Sequence, residues 1–140
     1  MDLIRFQARL GGCLRGIVAL LLLCSATAQA QVFDRIDVVA GEREAEIVVR
    51  FSHRIQYLRH GPGGEVREAR VFLRLLTSGV TEDQLMQDTV RSPVVAGVPV
   101  VKAVFPELRN GMLLTFSQPT RYTVKPGADG RSIVLTVPRL

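Results

Sequence analysis

Past residue 24 the chain has no cysteine, because its only two are Cys13 and Cys24. A segment without thiols forms no disulfide and no cysteine-ligated metal site. Residues 31–140 must therefore be held by an ordinary hydrophobic core, and that length is enough for one domain. Also missing is an apolar run long enough to cross a bilayer: Ile17–Cys24 has eight residues, against the roughly 20 that a spanning helix needs. Histidine is scarce. His53 and His60 are seven apart, which sets them on opposite faces of a regular strand. No third ligand accompanies them, so no metal site is expected. Ser52-His53 has no nucleophile-elbow motif around it, and adjacent strand residues point apart. Glu65 and Glu68 fall in a Gly-rich stretch read as a solvated loop, without the cleft that paired glycosidase carboxylates require. With no catalytic signature, the expectation is a non-enzymatic protein that carries no cofactor.

What is present begins with an address. Arg5, Arg9 and Arg15 form a basic start, Ile17–Cys24 (IVALLLLC) an apolar core, and Ala28-Gln29-Ala30 a small-x-small site before Gln31. This is the pattern of a cleaved secretory signal peptide over residues 1–30. It predicts an exported, periplasmic chain with no membrane span after cleavage. Cys24 follows Leu22-Leu23 rather than a small residue, which argues against a lipid-attachment site.

The whole chain carries a formal charge of +5. Setting aside Arg5, Arg9, Arg15 and Asp2 leaves 15 basic and 12 acidic residues, a net +3. In an exported chain, scattered arginines point away from nucleic acid and toward anionic envelope material such as peptidoglycan carboxylates or lipid phosphates, although exposed arginine is ordinarily just solvated.

The mature segment reads as a duplication. Ile47–Tyr57 (IVVRFSHRIQY) returns sixty-five residues later as Met112–Tyr122 (MLLTFSQPTRY). Each copy has an apolar run ending in Phe-Ser, a short turn, and a Tyr six residues after the Phe. Around that pair, period-2 alternation predicts strands over 33–39, 47–51, 55–58 and 71–76 in the first copy, and over 100–105, 112–116, 121–124 and 132–137 in the second. Gly61-Pro62-Gly63-Gly64, Pro106–Gly111 and Pro126–Gly130 are the turn signals. Gln118-Pro119 replaces His53-Arg54 and predicts a bend. Thr81-Glu82-Asp83-Gln84 fits a capping box and predicts a short connecting helix over about 82–89. The expected fold is all-β, a small antiparallel sandwich or partly open barrel. Its two repeated four-strand units would cover about 33–76 and 98–138 within one domain, 31–140.

In this pattern the chain resembles the AMIN module, a small periplasmic β-sandwich found in front of cell-wall amidases and in type IV pilus secretins. The resemblance is carried by Ile47–Phe51, Ser52, Tyr57 and Val71–Leu75, and by Met112–Phe116, Ser117-Gln118-Pro119, Tyr122 and Ser132–Val137. The segment is also similar to the exported N-terminal part of certain proteobacterial tetratricopeptide-repeat proteins. These likenesses imply peptidoglycan or septal targeting rather than catalysis, or an interaction and assembly domain of a longer exported protein. The expected partners are peptidoglycan or envelope proteins, not nucleic acid.

Tyr57 and Tyr122 share parity with Ile55 and Val124, so they are expected in the core with the hydroxyl at its margin. The polar residues of opposite parity are the candidate ligand contacts: Arg50, Arg54, Gln56, His60 and Arg74 in the first copy, Arg121 and Lys125 in the second. An arginine fork grips a carboxylate with two parallel hydrogen bonds, which suits the acidic peptide stems of peptidoglycan.

Overall fold

A computed structural model describes residues 31–76, 86–107 and 111–140. All nine elements in these residues are strands: β1 (Phe33–Ala40), β2 (Glu44–Phe51), β3 (Ile55–Gly61), β4 (Glu65–Leu75), β5 (Asp88–Arg91), β6 (Val101–Glu107), β7 (Gly111–Arg121), β8 (Thr123–Pro126) and β9 (Ser132–Pro138). They pair antiparallel in two sheets, sheet A in the order β1-β2-β9-β8 and sheet B in the order β3-β4-β7-β6-β5. The architecture is an open sandwich, not a closed barrel.

The duplication is written into that order. The copies correspond as β1, β2, β3, β4 to β6, β7, β8, β9, and exchanging them turns β1-β2-β9-β8 into β6-β7-β4-β3, which is sheet B without β5. Neither copy forms a sheet of its own. Each contributes its first hairpin to one sheet and its second to the other, so the two repeats are interlocked. Register follows the same exchange. Ile47 faces Leu135 and Val49 faces Ile133 across β2–β9; Met112 faces Val71 and Leu114 faces Ala69 across β7–β4. Ser52 N–H donates to Val32 O at 2.9 Å, and Ser117 N–H donates to Val100 O at the same distance.

Alternation decides what goes inside. Ile47, Val49 and Phe51 of β2, Leu135 and Val137 of β9, Val71 and Leu73 of β4, and Met112, Leu114 and Phe116 of β7 are all buried. Their rings interlock: Phe51 lies 5.2 Å from Phe33 and edge-on to Phe105 at 6.4 Å, and Phe116 lies 5.6 Å from Tyr122. The buried hydroxyls are satisfied, Ser92 Oγ accepting from Val101 N–H at 2.8 Å and Thr120 Oγ1 donating to Gln118 O at 2.8 Å.

Three local expectations change. Of the helix expected over 82–89, residues 82–85 lie outside the described residues, Met86 and Gln87 are irregular, and Asp88-Thr89 open β5. The edge of β6 supplies ladder partners for the described end of this span, from Asp88 against Phe105 to Arg91 against Lys102. Second, Glu65 and Glu68 belong to β4, which starts directly after the Gly-rich turn because Glu65 pairs with Arg121. Third, the Gln118-Pro119 bend does not end β7. It is absorbed as a register shift, Val66 facing Thr120 while Glu68 faces Thr115. Of the turn at Pro106–Gly111, residues 108–110 lie outside the described residues.

Candidate functional site

The polar residues picked out by parity separate into three places. Gln56 and Arg74 stand directly opposite each other on β3 and β4, both exposed on the outer face of sheet B. The same face carries Arg59 opposite Phe72, with the guanidinium 4.5 Å from the ring centroid, a stacking that holds the cation over apolar surface. Further across come Arg70, then Lys102 of β6 directly opposite Arg91 of β5. Only Arg70 has a carboxylate in reach among the described residues, Glu107 at 3.7 Å; no ion pair there involves Arg59, Arg74, Arg91 or Lys102. Like charges directly across a ladder destabilise it, so the Arg91–Lys102 pair costs the fold something. The two cations flank an open cleft of about 360 Å³ whose remaining wall includes Val94, Val100, Phe116 and Ser117.

Sheet A treats its cations differently. Arg50 Nε lies 2.5 Å from Asp37 Oδ2, and its Nη1 lies 3.5 Å from Asp129 Oδ2. Arg35 Nε is 3.1 Å from both oxygens of Asp37, and Lys125 Nζ is 3.9 Å from Glu46. The Arg50 hydrogen bond, seconded by Arg35, holds the Asp37 carboxyl below the usual carboxylate range and raises Arg50 in return. Asp129 is lowered too, first by the Arg131 backbone N–H at 3.0 Å and then by the Ser132 hydroxyl at 2.7 Å. Arg50 and Lys125 are thus already matched to carboxylates of their own sheet.

His60 and Arg121 occupy the third place, where β3 of sheet B and the β7–β8 crossing meet. A bulge between Tyr57 and Arg59 turns His60 to face Val71 in register. Its Nδ1 shares a hydrogen bond with Tyr57 Oη at 2.5 Å, and its ring meets Tyr122 edge-on at 5.7 Å. Tyr122 Oη donates to Pro62 O at 2.5 Å. Burial, followed by the proximity of Tyr57, pushes the Tyr122 phenol up. Arg121 faces Glu65 and, with Glu44, Tyr122 and Thr123, lines a cleft of about 450 Å³. Arg54 stands apart from all three, exposed in the β2–β3 crossing, where its carbonyl accepts Leu76 N–H at 2.8 Å.

Of the seven residues, then, the structure brings together Gln56 and Arg74, ties Arg50 and Lys125 to acids, and leaves Arg54 alone. Sequence parity missed Arg59, Arg70, Arg91 and Lys102. Arg70 was within reach, since it alternates with Ala69 and Val71. Arg59 was not, because the bulge reverses its side, and Arg91 lay between the helix expected over 82–89 and the strand expected from 100, in a stretch with no strand reading. Among the described residues no group of three or more His, Cys, Asp or Glu could hold a metal ion. Comparison of the chain with protein-family models, curated proteins and solved structures gives no match.

Proposed function

We propose that the protein is a non-enzymatic module of the cell envelope, related in kind to the AMIN module, that docks through the outer face of sheet B onto peptidoglycan or its assembly machinery in the periplasm. The observation that carries this reading is the contrast between the sheets: Arg59, Arg74, Arg91 and Lys102 have no ion-pair partner among the described residues, whereas Arg50 and Lys125 do. A ladder-supported array of arginines beside a glutamine suits a repeating polymer with carboxylates on short peptides, because guanidinium forks bind carboxylates in pairs and amides bind the neighbouring peptide groups. The leader motivates the compartment.

The test is co-sedimentation of the purified protein with isolated sacculi at low and high salt. Binding that is strong at low salt and weakens as the Debye length shrinks is the expected result. Protein recovered only in the supernatant at low salt would remove this reading.

The edges of sheet A, β1 and β8, which have no further strand among the described residues, favour a second reading, an interaction domain that takes up a strand, since unprotected ladder groups can pair with another chain. Crosslinking in cells that captures one protein, with sacculi capturing nothing, would select it.

A further inference from the structure

In sheet B the outer edge of β6 is covered by β5. Its counterpart in the other copy, β1, has no strand beyond it among the described residues. The hairpin's hydrogen bonds define what that edge offers. Gly41 N–H donates to Glu44 O at 2.8 Å, and at the far end Ser52 N–H donates to Val32 O at 2.9 Å. In an antiparallel ladder bonded pairs recur every second residue, so Val39–Glu46, Asp37–Val48 and Arg35–Arg50 are the bonded pairs of this register. The N–H and C=O groups of Ile36, Val38 and Ala40 consequently point away from β2. Among the described residues the edge is capped at its start, by the Asp88 carboxylate, which accepts Val32 N–H at 3.2 Å and Phe33 N–H at 3.0 Å.

Charge narrows the choice of partner. Asp34, Arg35 and Asp37 stud the strand and repel most approaching edges. One arrangement turns them to advantage: a second β1 running antiparallel about a two-fold axis at Ile36. There Arg35 of each copy faces Asp37 of the other, two attractive cross-strand pairs on the outer surface. The registers that also keep edge groups opposed but are centred one residue away fail, setting Asp37 against Asp37 or Arg35 against Arg35. We propose that β1 pairs with β1 of a second copy in this register, joining two four-stranded sheets into one of eight. Two-fold, self-complementary contacts of this kind are the commonest in homo-oligomers. Because the contact is mainly backbone and small, the dimer is weak and concentration-dependent. It uses only the edge of sheet A, so it stands or falls separately from wall binding by sheet B.

Sedimentation velocity of the purified protein from ~1 µM to ~1 mM, the range of weak complexes, is the experiment. The expected result is a mass moving from monomer toward dimer across that range. Val38→Pro deletes an edge-facing N–H without removing a β1–β2 ladder bond, a setting in which strand proline is tolerated. Arg35→Asp places carboxylates opposite each other in the dimer and alters a side chain that is 61% exposed. Each should weaken association about tenfold or more; Arg35→Asp also loses the intrachain contact with Asp37, so dilute protein should melt slightly lower, by no more than an exposed ion pair contributes. Should Val38→Pro fail to fold, Arg35→Asp alone decides. A monomer throughout the range overturns the proposal, as does a dimer indifferent to Arg35→Asp.

Discussion

Sheets A and B present equivalent side chains to the core and different ones to solvent. Inside, Ile47, Val49 and Phe51 on β2 answer Met112, Leu114 and Phe116 on β7, and all six are buried. Outside, Asp37, Glu46 and Asp129 close on Arg50 and Lys125 in sheet A, while sheet B has a row of cations with, among the described residues, one loose carboxylate contact, Arg70 to Glu107. Packing density constrains the inward set, since a methylene lost or gained in a close-packed core is felt throughout. The outward set carries little stability and is free to diverge. A duplicated unit can keep one shared interior and still acquire two distinct surfaces, one whose cations pair with its own acids and one whose cations, among the described residues, mostly do not.

The largest test of the shared interior is truncation of its matched aromatics. Phe51→Ala and Phe116→Ala should each cost about 3–5 kcal/mol, the usual range for a buried Phe. That is a large part of the ~5–15 kcal/mol a domain of this size holds in total. Urea unfolding measures both. Similar losses would sharpen the equivalence of β2 and β7. A wild-type melt for Phe51→Ala beside a collapsed Phe116→Ala would break it, leaving β1–β2 as a peripheral hairpin.

Much of this interior is legible in the sequence, because the period of two sorts Ile47, Val49 and Phe51 from Val48 and Arg50 without knowledge of any partner strand. The interlocking of the copies is not. Alternation says that β3 and β4 are strands but not that they leave β1–β2 for the other sheet; that depends on the crossings at Ser52–Arg54 and at Tyr122. The outer surface was legible only where alternation is unbroken. Gln56 and Arg74 were found together because no bulge separates them from Ile55 and Leu75. Arg59 and His60 exchange sides after the Tyr57 register shift, a feature with no signature in the residues themselves. Arg50 was correctly placed facing outward, yet its carboxylate partners lie 13 and 79 residues away, beyond what local pattern conveys.

The difference between the outer surfaces makes an intermediate prediction. Arg74→Ala combined with Lys102→Ala should lower sacculus binding about tenfold or more, as expected when charge-assisted hydrogen bonds are lost. Arg50→Ala combined with Lys125→Ala should leave binding within about twofold, because those cations are already engaged. Bound fractions at low salt give the ratio directly. Equal losses from the two double variants would show that net charge, rather than the open face of sheet B, governs docking.

The smallest effect probes the self-neutralised face. Asp37 and Asp129 have their pKa values lowered in the folded chain, Asp37 chiefly by the Arg50 hydrogen bond and Asp129 chiefly by the Arg131 backbone N–H. A carboxyl that holds its proton less tightly when folded adds stability while ionised. That contribution is complete above the unfolded value of about 3.9 and disappears as the pH falls through the lowered folded value. Stability should therefore be flat from neutral pH down to about 5 for these groups and decline only below it. Asp37 is 36% exposed as a side chain, so solvent screening keeps its share under about 1 kcal/mol, the range of exposed ion pairs. Urea midpoints for wild type and Asp37→Asn, measured from neutral to acidic pH, separate the term: the variant starts slightly lower and shows the shallower acid decline. Parallel curves would mean that the Arg50–Asp37 contact contributes nothing to the fold, and with it would go the reason for treating Arg50 as occupied rather than available.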